Sequence, residues 1–508
     1  MSKNRANIAP IKILHNGSVY GYSGADAIVL ERDRIGAIGR AEELLPGLPE
    51  GAEHIDLKGR IVFPGFIDAH IHLLHTGLVE SGWRIGLMDL SRAEVLDKLA
   101  QAAKDRTGEW VVGYGWDESH WEDRQYLSKV ELDEASPTTP VLAIRLDGHL
   151  LAANSVAMER IPDTAPEDLI EREAGLLREK AVTEMTGSVC PDSTTVAEAL
   201  DAAALLCNRL GITTVHTMTR LDYFEAFMMG RQQRQLRITM CPDVRSFDKL
   251  LAVGLKTGYG DAWLRFGGIK MFADGSIGAG NAAVSEPYIK GGLGKLNHED
   301  AVLRGWVETA DRAGWQTIIH AIGDRAIEQV LRTHEDLHTD PSLRHRIEHF
   351  ELPQESQWER VKQAGLYVSM QPNFTTNWSG PNSLYVDRLG LERDRMSNPL
   401  RPIYDAGIPL AFGSDGMPPS PLYGLHGAIH GAYPGQRLTI EEALACYTEG
   451  GARFAFEEDD KGSLQPGKLA DLVVLDQDPG LDPDHVSDRS IEMTFVGGEL
   501  VYSSNDEA

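Results

Sequence analysis

The feature that most limits the fold of this chain is a repeated alternation of strand-like and helix-like segments. Eight short apolar runs of strand character occupy residues 66–72, 212–216, 238–244, 266–272, 317–320, 346–350, 367–371 and 410–414. Segments with helical spacing lie between several of them, at residues 195–210, 298–313, 324–334 and 354–364. An eightfold repeat of strand and helix predicts an α/β fold, the (β/α)8 or TIM barrel, whose functional residues gather at the C-terminal ends of the strands.

The two ends of the chain show a different pattern, made of short strands and turns. Near the N-terminus, residues 11–14 and 18–20 flank Asn16-Gly17, a pair that favours a tight hairpin. Further short strands are predicted at residues 27–30, 34–38, 53–57, 470–475, 492–496 and 499–502. Neither end has enough strands for a core of its own. We therefore expect residues 1–63 and 457–508 to combine into one small β-sandwich, with the barrel over residues 64–456.

The connection after the first strand-like run is far longer than one helix requires. We interpret residues 73–210 as an insertion beside the mouth of the barrel, where variable segments contact the substrate. Within it, Trp116 could form an apolar wall, and Arg145 and His149 could donate hydrogen bonds to a carbonyl or carboxylate group. Asp117 is a further candidate for substrate binding. The alternative for these polar residues is that they satisfy backbone groups.

Candidate metal ligands lie at the ends of the strand-like runs. His70 and His72 are two residues apart, so in a strand their side chains leave the same face and can contact one cation. Four more candidates end later runs: Lys270, His320, His349 and Asp415. Imidazole nitrogens and a carboxylate oxygen suit zinc or a similar divalent ion, with one position kept for water. A single His-x-His pair also occurs by chance, and it is the other four residues that favour a metal site.

Lys270 requires a separate explanation, because an ammonium group repels a metal ion. Beside the apolar residues Met271 and Phe272, burial would disfavour the charged form and leave a neutral amine. Such an amine can add carbon dioxide and become a carbamate, whose two oxygens can bridge two metal ions. The alternative is an ordinary ion pair with Asp274 or another carboxylate.

The composition excludes several classes of protein. With 42% hydrophobic and 25% charged residues, the 508-residue chain is typical of a globular protein. Its formal net charge of −27 disfavours nucleic acid or an anionic membrane as a partner. The four cysteines show neither disulfide nor zinc-knuckle spacing, and residues 1–10 lack the apolar core of a signal peptide. We expect a cytoplasmic protein with a small-molecule substrate, and the sequence is compatible with a homodimer.

A series of motifs in order along the chain resembles the amidohydrolase superfamily. They are FPGFIDAHIH at residues 63–72, GWD at 115–117, DGH at 147–149, KMFADGS at 270–276, HAIGD at 320–324, IEH at 347–349 and GSD at 413–415. The pattern looks most similar to the YtcJ-like branch, which includes N-substituted formamide deformylases. The resemblance covers nearly the whole chain.

The resemblance implies a metal-dependent hydrolase with one or two divalent ions, which we expect to be zinc. His70 and His72 would bind the more buried ion and His320 and His349 the more exposed one, with Lys270 bridging them as its carbamate. Asp415 would bind the first ion and act as general base and then as general acid. A metal-activated hydroxide would attack a linear amide, an N-acyl or N-formyl amine, and so cleave a carbon–nitrogen bond other than a peptide bond.

Other reactions stay open at this point. Ring deaminases of the same superfamily tend to carry a glutamate three residues after the histidine of the fifth strand, where this chain has Gly323. Amide hydrolysis is therefore favoured over ring deamination, with deamination and ester cleavage as alternatives. A further alternative is a barrel without catalysis that serves as a binding or assembly module. Such relatives usually lose metal ligands, whereas this chain keeps all six candidates.

Overall fold

The computed structural model describes residues 11–106, 108–231 and 233–506. The prediction that residues 1–10 are not a signal peptide concerns a segment that lies outside the described residues. Within it, no helix has both the length and the apolar character needed to cross a lipid bilayer.

Eight parallel strands form the centre of this α/β protein, within a few residues of the predicted positions; the predicted run 266–272 is divided between Leu264–Phe266 and Ile269–Phe272. In chain order they are Phe66–Ile71, Ile212–Thr219, Arg237–Pro242, Ile269–Phe272, Thr317–Ala321, Arg346–His349, Tyr367–Met370 and Leu410–Phe412. The first three pair in sequence within one sheet, whose edge is the short strand Leu264–Phe266, and the last five pair in sequence within another.

Contacts also join the edges of these two sheets. Asp243, just after the third central strand, forms a parallel bridge with Lys270 in the fourth. The N–H of Asp415, just after the eighth strand, donates to the carbonyl oxygen of His70 in the first at 2.7 Å. The third central strand is therefore connected to the fourth, and the eighth to the first.

Helices connect the central strands and pack their apolar faces on them. The principal ones are Leu73–Glu80, Ser193–Arg209, Asp300–Arg312, Asp324–Leu337, Glu355–Gln363, Leu400–Asp405 and Pro421–His430. In the helix Asp324–Leu337, Ile327, Val330 and Leu331 repeat at helical spacing and are fully buried in the central core. Burial of each such side chain contributes roughly 1.5–3 kcal/mol. The helix ends where His338 adopts a left-handed conformation.

Two further sheets are built from the ends of the chain. One contains Lys12–His15, Ala27–Glu31, Arg34–Gly39 and Glu53–Asp56, and the other contains Ser18–Val19, Ile61–Pro64, Leu472–Leu475, Ile491–Val496 and Glu499–Ser503. The strand Ile61–Pro64 pairs antiparallel with Leu472–Leu475, so the second sheet joins both ends. Side chains of both sheets, among them Leu14, Ile28 and Phe495, share one apolar core. Strands from the two ends of the chain therefore pair with each other.

One local prediction in this region is wrong. Asn16-Gly17 closes no hairpin, because the flanking strands Lys12–His15 and Ser18–Val19 lie in different sheets. Asn16 has a left-handed φ of 60°, and a Cβ atom at Gly17 would collide with the carbonyl of Arg60. The pair therefore turns the chain from one sheet into the other, where only glycine fits the close approach.

The long first connection folds around a six-stranded sheet of its own. Its strands are Ile85–Gly86, Val111–Trp116, Val141–Arg145, Leu150–Ala153, Ile170–Glu171 and Leu176–Arg178, and its helices include Arg92–Asp105, Lys129–Ala135 and Lys180–Ser188. Two apolar cores involve this sheet, one containing Trp116 and Trp121 and the other Leu142 and Leu177. The exact domain limits given above stay predictions.

A buried ion pair connects the central strands with the end sheets. Arg237 in the third central strand donates to both carboxylate oxygens of Asp471 at 2.7 and 2.9 Å. Burial opposes the charge of Asp471, but Arg237 outweighs that effect, so the pKa of Asp471 lies below its ordinary value.

Candidate metal centre

Two histidines at the end of the first central strand face the carboxylate that follows the eighth. Nε2 of His72 lies 3.3 Å from Oδ1 of Asp415, and Nε2 of His70 lies 3.6 Å from the same atom. In the described part of the chain, these three side chains form the one group of histidine, cysteine or acidic residues whose ligand atoms all lie within 4.8 Å of one another.

Backbone contacts hold this group together. The main-chain hydrogen bond from Asp415 to His70 brings the eighth strand against the first, and a Cβ atom at position 413 would collide with the His70 backbone. Ser414 donates to Asp68 through both its N–H and its hydroxyl group. Asp415 itself has a left-handed φ of 56°, a conformation that costs on the order of 1–3 kcal/mol for a residue with a side chain. The sequence Gly-Ser-Asp thus allows the close approach and directs the aspartate inward.

The electrostatics of the group fit a cation. Oδ1 of Asp415 is buried and accepts no hydrogen bond from any described residue. Burial raises the pKa of Asp415 to about 8, although Lys270 opposes the shift. Burial also lowers the pKa of His72 to about 3 and that of His70 well below its ordinary value. Neutral imidazoles beside a carboxylate oxygen without a donor are the partners that a divalent ion requires.

Lys270 lies beside this group from the fourth central strand. The residue is 1% exposed, and its Nζ lies 3.3 Å from Nε2 of His70 and 4.8 Å from the centre of the Phe272 ring. Burial lowers the pKa of Lys270 to about 8, which favours the neutral amine that carbamate formation needs. Asp274, the alternative partner of this lysine, instead accepts three backbone N–H groups.

A small cavity of about 30 Å³, here named the inner cavity, lies between the candidate ligands and the insertion. Its lining includes His149, His320, His349 and Asp415, together with Glu351, Phe374, Trp378, Tyr385 and Met417. No motif in the sequence predicts the last five residues, because their positions depend on how segments after the sixth, seventh and eighth strands fold back over the strand ends. A volume of this size holds about two water molecules.

His320 and His349 extend the ligand set into the inner cavity. Their ring centres are 4.5 Å apart, and that of His349 lies 4.8 Å from the ring centre of His70. Nε2 of His320 contacts the Gly275 carbonyl at 3.0 Å, and Nδ1 of His349 contacts Oε1 of Gln371 at 2.7 Å. The other nitrogen of each ring makes no hydrogen bond with a described residue. The structure thus brings all six candidate ligands into one cluster.

Glu348 and Arg346, in the sixth central strand, support His70 from behind. Oε2 of Glu348 contacts Nδ1 of His70, and its Oε1 accepts a hydrogen bond from Nε of Arg346 at 2.8 Å. This carboxylate holds the imidazole so that Nε2 faces Asp415, an arrangement common behind metal-binding histidines. The signal in the sequence is the alternation of the charged residues Arg346 and Glu348 around Ile347 in a short strand-like run, since charges that become buried in a strand require partners.

The four predicted substrate-contact residues lie in different places. Arg145 and His149 line the inner cavity, and Asp117 lies at its edge, where its Oδ1 accepts a hydrogen bond from Arg145 at 3.2 Å. Trp116 is fully buried in the core of the insertion, where it stacks on Trp121 with ring centres 5.7 Å apart. The role of Trp116 as a wall for the substrate stays a prediction, and the structure places it outside the cavity lining.

Arg145 is held by carboxylates of the protein. Besides the contact to Asp117, it donates to Glu118 and to Asp147, each at 2.8 Å. Burial lowers the pKa of Arg145, but the three carboxylates outweigh this effect and hold it well above its ordinary value. Its direct contact with substrate stays a prediction, whereas its contacts within the protein tie the insertion together at the cavity.

Glu179 favours the protonated form of His149. Its Nδ1 lies 2.9 Å from Oε2 of Glu179, and its ring centre lies 5.2 Å from that of His320. Burial lowers the pKa of His149, but Glu179 outweighs burial and raises it to about 9. In the protonated form both ring nitrogens of His149 are hydrogen-bond donors, and the ring lines the inner cavity.

Known proteins of one family are similar to this chain. Residues 53–502 match the amidohydrolase family. The chain is 30% identical to putative amidohydrolase YtcJ of Bacillus subtilis, over 97% of this chain and 99% of that protein. It is 25% identical to the N-substituted formamide deformylase of Arthrobacter pascens, over 94% of this chain and 95% of the relative. A solved metal-dependent hydrolase from Pyrococcus furiosus is 28% identical, with a TM-score of 0.74 over 92% of this chain and 100% of that one.

Proposed function

The chain belongs to the amidohydrolase family, and from this premise we propose that it is a metal-dependent hydrolase of a linear amide, an N-acyl or N-formyl amine. Its similarity to a solved metal-dependent hydrolase supports the general reaction. More specifically, we propose cleavage of a carbon–nitrogen bond other than a peptide bond. The similarity of the chain to a protein named as an N-substituted formamide deformylase supports this part of the proposal.

We interpret the eight central strands as one (β/α)8 barrel and the two end sheets as one β-sandwich. The contacts at both sheet edges, Asp243 with Lys270 and Asp415 with His70, support closure of the barrel. In such a barrel the catalytic residues occupy the C-terminal ends of the strands. His70, His320 and His349 lie at or next to those ends, and Asp415 lies just beyond one of them. Lys270 lies within the fourth strand, two residues before its end.

The observation that carries the proposal is the buried Oδ1 of Asp415, which faces two neutral histidines and accepts no hydrogen bond from the described residues. We assign Asp415, His70 and His72 to a first divalent ion, with zinc as the proposed metal. We assign His320 and His349 to a second ion, and a carboxylated Lys270 to both ions. The lowered pKa of the buried Lys270 supports this second assignment.

The side chains around the inner cavity suit the steps of amide hydrolysis. A bound divalent ion would polarise the amide carbonyl and lower the pKa of a water molecule toward neutrality. Asp415 is placed to accept a proton from the attacking water on its carboxylate and to return it to the leaving nitrogen. His149, as its imidazolium, could donate to the carbonyl oxygen of the substrate. Phe374 and Trp378 would exclude bulk water from the reacting group.

The loop after the fifth strand disfavours the alternative of ring deamination. The glutamate that ring deaminases tend to carry would fall at position 323, where a Cβ atom would collide with the backbone of Ala283. A glutamate at this position would therefore require the loop to move. Ester cleavage would use the same cluster, and only the substrate separates it from amide cleavage.

A panel of substrates tests the proposed function. Purified protein is given N-formyl and N-acyl amines, matched esters and heterocyclic amines, before chelation, after chelation and after zinc is restored. We expect release of amine from linear amides that chelation abolishes and zinc restores. Ammonia released from heterocycles, with no turnover of linear amides, would favour ring deamination. Absence of both metal and turnover would favour a binding module.

A further inference from the structure

A second and much larger cavity adjoins the inner cavity. It is an open cleft of about 940 Å³ between the insertion and the segments after the seventh and eighth strands, and we name it the outer cleft. Its buried and half-buried members include Met88, Leu90, Trp121, Leu146, Pro418 and Tyr423. Its exposed members include Asp89, Ala93, Glu94, His120 and Glu122. The outer cleft therefore has a largely apolar floor and a polar rim.

A thin wall separates the outer cleft from the inner cavity. Leu146 lines the outer cleft, whereas its neighbours Arg145 and Asp147 line the inner cavity. The same alternation occurs in two other segments, with Asn377 and Pro418 on the outer side and Trp378 and Met417 on the inner side. Along these three segments, residues next to each other in the chain face the two cavities.

Side-chain hydrogen bonds between the segments hold the wall together. Nε1 of Trp378 donates to Oδ2 of Asp117 at 2.7 Å, which joins the barrel side to the insertion. Nδ2 of Asn377 donates to the Met417 carbonyl at 3.0 Å, and the Tyr423 hydroxyl donates to Oδ1 of Asn377 at 2.6 Å. The Asp117–Trp378 contact is the hydrogen bond in this set that crosses from the insertion to the segment after the seventh strand.

The sizes of the two cavities limit where a substrate can lie. The inner cavity holds about two water molecules, which is enough for a reacting group but not for an amide with a large substituent. The adjoining outer cleft has room for such a substituent, and its apolar floor suits an alkyl or aryl group. Only the wall lies between this floor and the candidate catalytic residues.

We infer that the outer cleft is a substrate-binding subsite for the larger, apolar or aromatic substituent of the amide, and that the amide group reaches the inner cavity past the Asp117–Trp378 contact. This inference rests on the proposed amide hydrolysis. It gives Asp117 and Trp378 a part in substrate selection, and it explains why a residue of the GWD motif lies at the junction of two cavities.

Filling the outer cleft tests the inference. Ala93 is exposed at the start of the helix Arg92–Asp105 and lines the outer cleft, so Ala93→Trp places a bulky side chain in it without disturbing a core. Gln101 is exposed about two turns later on the same helix and does not line the outer cleft, so Gln101→Trp is the matched control. The two probes are N-(2-phenylethyl)formamide, with an aryl substituent, and N-methylformamide, without one.

The inference predicts a different effect of each variant on the turnover of the two probes. We expect Ala93→Trp to lower kcat/KM for N-(2-phenylethyl)formamide by about tenfold or more, the order of effect of losing burial for one apolar ring. Turnover of N-methylformamide should stay within about twofold of wild type, and Gln101→Trp should stay within that limit for both probes. An unchanged ratio of kcat/KM between the two probes in Ala93→Trp would overturn the inference.

A direct binding measurement separates failure of this inference from failure of the proposed function. If wild type hydrolyses neither probe, calorimetric titration of N-(2-phenylethyl)formamide into the purified proteins decides the matter. Binding to wild type and Gln101→Trp that is about tenfold or more weaker in Ala93→Trp would support the subsite without the proposed reaction. Equal affinity in all three proteins, or no saturable binding to wild type, would overturn it.

Discussion

The two sides of the inner cavity are built in different ways. On one side, here called the ligand side, strand ends and a main-chain hydrogen bond place His70, His72 and Asp415. On the other side, here called the wall side, Asp117 and Trp378 come from separate segments and meet through a side-chain hydrogen bond. The difference shows that the candidate chemistry depends on elements intrinsic to the fold, whereas the candidate substrate contacts depend on segments that the fold leaves free to vary.

The largest effect is expected on the ligand side, from Asp415→Asn. The amide keeps the size of the carboxylate but removes both the negative charge and the proton acceptor, so turnover of the best amide substrate should fall by about 10³-fold or more. Steady-state kinetics of the variant and of Asp300→Asn, at the start of a helix on the surface, provide the measurement and its control. Turnover within about tenfold of wild type would break the distinction between the two sides.

A change far from both sides tests whether the ligand side is independent of overall stability. Asp471→Asn leaves the buried guanidinium of Arg237 without its counter-charge, so the free energy of unfolding at pH 7 should fall by about 3–5 kcal/mol. Turnover by the folded variant should be unaffected. Urea unfolding measures the difference, and equal stability of the two proteins at pH 7 would contradict the structural account of this pair.

The same variant has a defined pH dependence. The pKa of Asp471 is lower in the folded protein than its unfolded value of about 3.9, so its charge stabilises the fold above that value. This contribution is lost as the pH falls through the folded pKa. The difference in stability between wild type and Asp471→Asn should therefore be complete at pH 7 and shrink below about pH 4. A stability difference between the two proteins that grows on acidification would contradict a lowered pKa of Asp471 in the folded protein.

A smaller effect on the ligand side is expected from Glu348→Gln. Loss of the carboxylate behind His70 should weaken zinc affinity by about 10- to 100-fold, because the ring is no longer held in position by a charged acceptor. Equilibrium dialysis gives the affinity, with Glu308→Gln on a surface helix as the control. Unchanged affinity would show that the strand alone orients His70.

The smallest effect is expected on the wall side, from Trp378→Phe. The ring is kept but the hydrogen bond to Asp117 is lost, so the KM for the best amide substrate should rise by about three- to tenfold. The metal content should stay that of wild type. Trp358→Phe is a matched control, because the buried Nε1 of Trp358 makes no hydrogen bond with a described residue. A loss of metal in Trp378→Phe would remove the contrast between the two sides.

The sequence predicts the ligand side better than the wall side for a physical reason. Central strands are local apolar runs, and residues at their ends share one edge of parallel strands, so His70, Lys270, His320, His349 and Asp415 could be placed together without a structure. Their mutual distances follow from strand pairing. The strand boundaries differ from the predicted ones by a few residues, since the eighth strand ends at Phe412, before the residues that contact His70.

The wall side depends on information that local patterns do not contain. Trp116 and Trp378 are both buried tryptophans, but the first packs inside the insertion and the second lines the inner cavity. Only the packing of segments that are distant in the sequence determines which of the two tryptophans lines the inner cavity. Asn16-Gly17 gives the same lesson, because its turn chemistry was compatible with a hairpin and yet the strands on either side belong to different sheets. Local geometry does not specify the partner strand.

The most direct test of the candidate metal centre is the metal content of the purified protein, measured by mass spectrometry after dialysis, for wild type and for the double variant His70→Asn/His72→Asn. We expect wild type to retain a divalent ion and the variant to lose it, with turnover lost in parallel and an unchanged far-ultraviolet circular dichroism spectrum. The same metal content in both folded proteins would show that His70, His72 and Asp415 do not hold the ion.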